Sequence, residues 1–201
     1  MVHPVIRRDA RSDDRANPLG RANVYIASLL QGWYYTNDMS LQRKKYHNAI
    51  LYLCRKLKGE VRGKKKLAKL LYFADFDLYE KSQKLITGDI YRAFPMGPVP
   101  SRLEEITTEM VKEKMLGIER VEEREGYNAT EVYKCLIEPD LSVFDNEEKK
   151  MLDRVTIKYG HLNGKQLEEL SHAEAPYIGT ALRKEIPYEL AFYRGTDFSD
   201  L

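Results

Sequence analysis

The clearest pattern in this chain is a pair of apolar stripes at helical spacing in its first half. The first stripe consists of Tyr46, Ala49, Ile50, Leu53, Cys54 and Leu57. This spacing predicts a helix from Arg43 that ends before Gly59, followed by a basic turn from Gly59 to Gly63. The second stripe consists of Leu67, Leu70, Leu71, Ala74 and Leu78, and four aromatic residues extend it almost around the helix. A helix that is apolar on most of its faces is predicted to be the central one of a bundle.

The segment that follows the second helix is rich in glycine and proline. Residues 90–94 are predicted to form a short strand. The segment from Pro95 to Pro100 is predicted to be a rigid extended loop without a regular element, because proline lacks an N–H group and restricts the residue before it. The sequence from Ser101 to Glu104 has the spacing of a capping box and predicts a third helix that ends near Gly117.

The second half of the chain predicts a β-hairpin and further short helices. Residues 118–124 and 130–137 contain residues with β character, which predicts two strands around a turn at 125–128. Asp145, with Glu148 three residues later, predicts a helix start, and Asn163 predicts another. The apolar segment 186–193 is predicted to dock on the core.

These elements together predict a mainly α fold of the α+β type, a helical domain with a small β-hairpin or sheet insertion. The domain is predicted to span residues 43–193. Residues 1–42 are predicted to be an N-terminal extension made of a mobile tail and a short helix that carries Trp33, the only tryptophan. Residues 194–201 are predicted to be a C-terminal tail.

Composition supports one globular domain and excludes several classes of protein. The chain has 201 residues, of which 43% are hydrophobic and 32% are charged, so it is long enough to bury a core without disulfides. Its two cysteines, Cys54 and Cys135, match no paired spacing, which favours a reducing cytoplasm. The N-terminal segment lacks the apolar stretch of a secretory signal, and a membrane partner is not expected.

Charge is unevenly distributed along the chain, although the net charge is only +2. Residues 43–69 carry eleven lysines and arginines against a single acid, Glu60, so this segment has a charge of +10 and the rest of the chain −8. Such a segment fits either an acidic or nucleic-acid partner or the solvated faces of two helices. The second interpretation is favoured, and nucleic acid is not the expected partner.

The motifs of most enzyme classes are missing. The four histidines are scattered, and no phosphate-binding or dinucleotide-binding glycine motif occurs, so no metal and no cofactor are predicted. Ser171 and His172, with Asp75, are the one conceivable hydrolase arrangement. The favoured interpretation is structural: His172 satisfies backbone carbonyls at the end of a helix, and Asp75 is a buried anchor for the glycine- and proline-rich loop.

Three motifs in a fixed order give the chain a family resemblance. They are the segment from Lys66 to Asp75, the segment from Ile86 to Asp89, and Gly97-Pro98-Val99-Pro100. In this order they resemble the signature of the Panacea domain, also called the SocA-like or phage-associated antitoxin domain. The lead-in from Asn48 to Leu53 and the late Leu170-Ser171-His172 with Pro176 are also similar, so the resemblance covers about residues 43–193.

The resemblance implies a mostly helical, non-enzymatic antitoxin domain with a small β element. Members of the family lie beside toxin genes in bacteria and phages and neutralise varied toxins by protein–protein contact, and one delivers its toxin to a protease. We therefore expect a cytoplasmic antitoxin that binds a cognate protein toxin, encoded next to it, as a hetero-oligomer. The alternatives are a protease adaptor for the toxin, a DNA-binding transcription regulator and, last, a hydrolase.

The expected partner surface centres on the rigid loop and the tyrosines near it, because tyrosine is enriched at interfaces and a loop ordered by prolines loses little entropy on binding. The predicted partner-binding residues are Tyr72, Tyr79, Thr87, Gly88, Asp89, Tyr91, Met96, Gly97, Pro98, Val99 and Pro100.

Overall fold

A computed structural model describes residues 40–122 and 128–201 of the chain. Its α-helices are α1 (Arg43–Lys56), α2 (Lys64–Ser82), α3 (Leu103–Lys112), α4 (Asn146–Tyr159), α5 (Gly164–His172) and α6 (Ala175–Ile178). Its strands are β1 (Glu60–Arg62), β2 (Tyr91–Phe94), β3 (Gly97–Pro100), β4 (Leu116–Val121) and β5 (Thr130–Cys135). Two 3₁₀ helices cover Leu141–Val143 and Tyr188–Tyr193. The predicted mainly α fold with a small β component is confirmed. The Trp33 helix, the N-terminal tail and most of the turn at 125–128 lie outside the described residues.

Helix α2 is the centre of the domain, as its nearly all-round apolar surface predicts. Every residue from Leu67 to Tyr79 is buried. Helices α4 and α5, strand β3 and the 3₁₀ helix Tyr188–Tyr193 all pack against it. Aromatic rings fill the space on one side, where Phe76 stacks on Tyr188 with a centroid distance of 4.6 Å. Because α2 is enclosed, a polar side chain on it must find its partners inside the protein.

A three-stranded antiparallel sheet has the order β1-β5-β4. Strands β4 and β5 form the predicted hairpin, with Ile118 opposite Tyr133. Strand β1 corrects the prediction of a basic turn between the first two helices. Val61 is buried opposite Tyr133, and the main chain on either side of β1 is hydrogen-bonded to β5. The apolar Val61 and the open edge of β5 therefore turn this connection into a strand.

The glycine- and proline-rich segment also forms a strand, which corrects the prediction of an irregular loop. Strand β3 pairs with β2 in a second, two-stranded sheet, with Ala93 opposite Pro98. The N–H of Ser101 donates to the carbonyl of Ile90 at 2.8 Å, which fixes the alternation of hydrogen-bonded pairs along the hairpin. Pro98 and Pro100 fall on the non-hydrogen-bonded positions, so their missing N–H groups leave no ladder bond unmade.

The predicted helix starts differ in how they are capped. Helices α4 and α5 begin at Asp145 and Asn163, as predicted. Both starts are complete capping boxes, although a box was predicted only at Asp145. Helix α3 has Arg102 as its N-cap residue and no side-chain cap from its own sequence, so the predicted capping box at Ser101 is wrong. The reason is a carboxylate from another part of the chain, Asp89, which accepts the N–H of Arg102 at 2.9 Å.

Residues 194–201, predicted to be a tail beyond the domain, pack against it. The guanidinium of Arg194 is buried and donates to Asp77 on α2 and to Glu174, each at 2.6 Å. Arg154 on α4 bonds both Asp77 and Asp200. Two buried arginines around one buried carboxylate thus attach the end of the chain to the central helix.

The basic segment 43–69 is largely neutralised by acids from distant parts of the chain. Arg43 pairs with Glu105 and Glu109, and Lys45 pairs with Glu148 at 2.5 Å. The favoured interpretation of this segment, solvated helix faces, agrees with these pairs. No helix in the described part of the chain is long and apolar enough to span a membrane.

Candidate functional site

Asp75 connects α2 to the segment that precedes β2. Its side chain is completely buried. One carboxylate oxygen accepts the N–H groups of Ile86 and Thr87, both at 2.8 Å, and the other accepts the hydroxyl of Tyr91 at 2.8 Å and that of Thr87. Burial raises the pKa of Asp75 to about 6, although the hydrogen bonds from Thr87 and Tyr91 oppose this shift. Asp75 is therefore a buried anchor, as its apolar flanks predict, with its backbone donors at residues 86 and 87.

Asp89, just before strand β2, is a second buried aspartate that anchors neighbouring elements through hydrogen bonds. Its carboxylate accepts the hydroxyl of Tyr46 at 3.0 Å and the N–H groups of Ile90 and Arg102 at 2.7 and 2.9 Å. Its main-chain carbonyl accepts the hydroxyl of Tyr188 at 2.6 Å. Because these donors come from α1, the start of α3 and the C-terminal 3₁₀ helix, one aspartate fixes three elements around the β2–β3 hairpin.

Lys69 holds the other arm of the hairpin. Its ammonium is fully buried on α2 and donates to the carbonyl of Pro98 at 2.7 Å. A Cβ at Gly97, whose φ is +89°, would lie 2.7 Å from this ammonium and 2.8 Å from the hydroxyl of Ser171. Glycine is thus required at position 97 both for the backbone conformation and for space. Burial lowers the pKa of Lys69 to about 7.

A second buried network lies on the opposite side of α2 and was not predicted from the sequence. Glu174 accepts the hydroxyl of Tyr72 at 2.8 Å as well as the guanidinium of Arg194. Burial raises the pKa of Glu174 and of Asp77, and the arginines oppose both shifts. The only sequence signal was the presence of a second aspartate, Asp77, on a helix that is otherwise apolar.

Of the residues considered for a hydrolase, Ser171 and Asp75 have hydrogen-bond partners other than one another in the described structure. Ser171 donates to the carbonyl of Glu168 at 2.9 Å, and Asp75 is bonded to Ile86, Thr87 and Tyr91. Within the described residues no hydrogen bond joins Ser171 to His172 or His172 to Asp75. Nor do three or more metal-ligating side chains cluster anywhere in the described ranges.

His172 has a different setting from the one predicted. Its ring stacks on Tyr177 with a centroid distance of 4.3 Å, and its Nε2 atom has no hydrogen-bond partner in the described structure. The prediction that backbone carbonyls satisfy this histidine is therefore corrected. Stacking holds His172 in place at the end of α5, and it connects α5 to α6.

The segment that contains Lys69, Asp75 and Asp89 matches a known protein family. Residues 67–177 match the family described as antitoxin SocA-like, Panacea domain, which is more than half of the chain. The chain belongs to this family. Membership supports an antitoxin-type role and suggests a toxin as the partner. No curated protein and no solved structure matches the chain at a significant level.

Most of the predicted partner-binding residues lie inside the Panacea domain, which corrects their assignment to a surface. Because they are buried, they have almost no solvent-facing area to offer. The buried residues are Tyr72, Tyr79, Thr87, Gly88, Asp89, Tyr91, Gly97, Pro98 and Pro100. Met96 is 58% exposed and Val99 is half-buried.

The surface that this framework presents is apolar. Phe94, Met96, Ile178 and Leu182, which we call the hairpin face, are exposed to between 36% and 69%. The elements that carry them are directly connected. The Tyr177 hydroxyl donates to the carbonyl of Phe94 at 2.9 Å, and the N–H of Arg183 donates to the carbonyl of Ala93 at 2.6 Å.

Loss of the Asp75 carboxylate is expected to destabilise the Panacea domain. Asp75→Ala leaves two backbone N–H groups and two hydroxyls buried without their acceptor, so the free energy of unfolding should fall by on the order of 3 kcal/mol. Urea denaturation measures this, with Glu113→Ala, an exposed carboxylate on the surface of the same domain, as the matched control. Equal midpoints for Asp75→Ala and the control would contradict the anchor.

Lys69 gives the domain a specific pH dependence. Its pKa is about 7 in the folded chain, against 10.5 for an ordinary lysine, so between these values the unfolded chain binds more protons. Stability should therefore rise with pH. From pH 7 to 9 the free energy of unfolding should increase by about 2 kcal/mol relative to that of Lys69→Met, which lacks this titration. Parallel pH profiles of the two proteins would show that Lys69 titrates normally.

Proposed function

We propose that this chain is an antitoxin that neutralises a cognate protein toxin by direct binding. The observation that supports it is an exposed apolar face on a rigid framework in a member of an antitoxin family. Exposed apolar side chains grouped on adjacent elements mark interaction sites. The hairpin face needs little ordering on binding because Lys69 and Tyr177 already hold the hairpin.

The charges around the hairpin face indicate the kind of toxin surface that would fit it. The hairpin face has exposed cations beside it, at Arg92, Arg183 and Lys184. A complementary toxin surface is therefore an apolar patch edged by acidic residues. We also propose that this toxin is encoded by a gene next to that of the antitoxin, and that neutralisation requires binding and no catalysis by this chain.

The test is rescue of cells that express the adjacent gene product. Met96→Glu and Leu182→Glu place a charge in the hairpin face and should abolish rescue and co-purification of the toxin, because a buried unpaired charge is costly in an interface. Leu136→Glu is the matched control. Leu136 has the same exposed fraction as Met96 and Leu182, 58%, but it follows the end of β5, next to the three-stranded sheet.

All three variants should melt at the temperature of the parent, since each changes an exposed side chain. Full rescue by Met96→Glu and Leu182→Glu would show that the hairpin face is not the surface that binds the toxin. A gene neighbour that is harmless when expressed alone would contradict the antitoxin role itself.

A further inference from the structure

A basic groove lies away from the hairpin face and takes no part in the proposed function. It has a volume of about 970 Å³ and lies between the end of α1, strand β1, the start of α2 and the turn from α4 to α5. This volume is that of a site for a small molecule. Its charged lining includes Lys56, Lys58, Arg62, Lys65, Lys66 and Lys165.

These cations outnumber the acids that could neutralise them. Glu60 is the one acid of the groove lining and pairs with Arg62 at 3.0 Å. Lys56 pairs with Asp153 at 2.8 Å, and Lys65 pairs with Glu168. Lys58 and Lys66 have no acidic partner among residues 40–122 and 128–201. Among the described residues, the groove therefore keeps an excess of positive charge.

Lys66 and Lys58 each occupy a position that is unfavourable for a lysine, one because of burial and the other because of its backbone conformation. Lys66 is partly buried, and its ammonium donates to a single acceptor, the carbonyl of Gly160 at 2.6 Å. Burial without an anion lowers its pKa. Lys58 has a φ of +66°, a conformation that costs a side chain about 1 kcal/mol relative to glycine. Both lysines therefore bring a positive charge to the groove without a carboxylate partner among the described residues.

The start of α2 shows the same conflict. Its first turn is Lys64-Lys65-Lys66, with no acidic residue and no side-chain cap. The N-terminus of a helix carries partial positive charge, which adds to that of the lysines. Glu104 pairs with Lys64 and Glu168 pairs with Lys65, whereas Lys66 has no carboxylate partner among the described residues. The helix terminus and the unpaired lysines thus place positive potential on the same groove, and a bound anion would offset all of these local costs.

We propose that the groove binds a small molecule that carries two or more phosphate groups. Lysine ammonium groups bind phosphate as point charges, and the one arginine of the lining is already paired, so the groove offers charge instead of a bidentate fork. Among the described residues that line the groove, His161 carries the only aromatic ring, so there is no stacking platform for the bases of a nucleic acid. Phosphate charge, and not a base, is what the groove recognises.

The test is calorimetric titration of the full chain with inorganic tripolyphosphate at constant ionic strength. One site per chain is expected. Lys66→Gln and Lys58→Gly should each weaken binding about tenfold, the equivalent of one lost charge interaction. Lys112→Gln, an exposed lysine on α3 outside the groove, should leave the affinity unchanged. Lys58→Gly should also melt no lower than the parent, because glycine relieves the backbone strain, which separates loss of binding from loss of folding.

Further ligands distinguish the alternatives. ATP that binds as tightly as tripolyphosphate supports a free phosphorylated small molecule. A heptaglutamate peptide that binds more tightly than tripolyphosphate would overturn the assignment in favour of an acidic protein segment. Affinity for single-stranded DNA that grows with its length beyond the groove would overturn it in favour of a nucleic acid. Absence of saturable tripolyphosphate binding, or equal loss in Lys112→Gln, would also contradict the proposal.

Discussion

The structure depends on the carboxylate of Asp75. It lies on a helix that is buried on every side, so it cannot be left without partners. Four donors from residues 86, 87 and 91 supply them. By accepting these bonds, Asp75 fixes where the chain leaves the central helix and enters the β2–β3 hairpin. The family signature is therefore explained by internal hydrogen bonding.

The same principle extends through the domain. Asp89 joins α1, the start of α3 and the C-terminal 3₁₀ helix to the hairpin base, and Lys69 holds the hairpin strand through Pro98. On the other side of α2, Asp77 and Glu174 hold the end of the chain through Arg194. Buried charges on one helix thus organise the elements around it. The result is a rigid hairpin face, which is the physical requirement for binding a partner at low entropic cost.

The sequence was sufficient where a signal is local. The apolar stripes predicted α1 and α2, the capping residues Asp145 and Asn163 predicted their helices, and the flanks of Asp75 predicted its burial. It was insufficient where a distant residue decides. The cap of α3 comes from Asp89, the strand at Gly97–Pro100 exists because its prolines fall on positions without ladder bonds, and β1 forms on the edge of β5. The tyrosines of the predicted surface are interior because distant acids accept their hydroxyls. Glu174 accepts that of Tyr72, Asp75 that of Tyr91 and Glu189 that of Tyr79.

Hydrogen exchange at the amides of Ile86 and Thr87 is the most direct test of whether the Asp75 carboxylate anchors the β2–β3 hairpin. Neither residue lies in a helix or strand, so their N–H groups are protected only if the buried Asp75 carboxylate accepts them. If Asp75 accepts them, both amides should exchange as slowly as the amides in the middle of α2, through global unfolding of the domain. Exchange at the rate of an exposed loop amide would show that Asp75 does not anchor the hairpin.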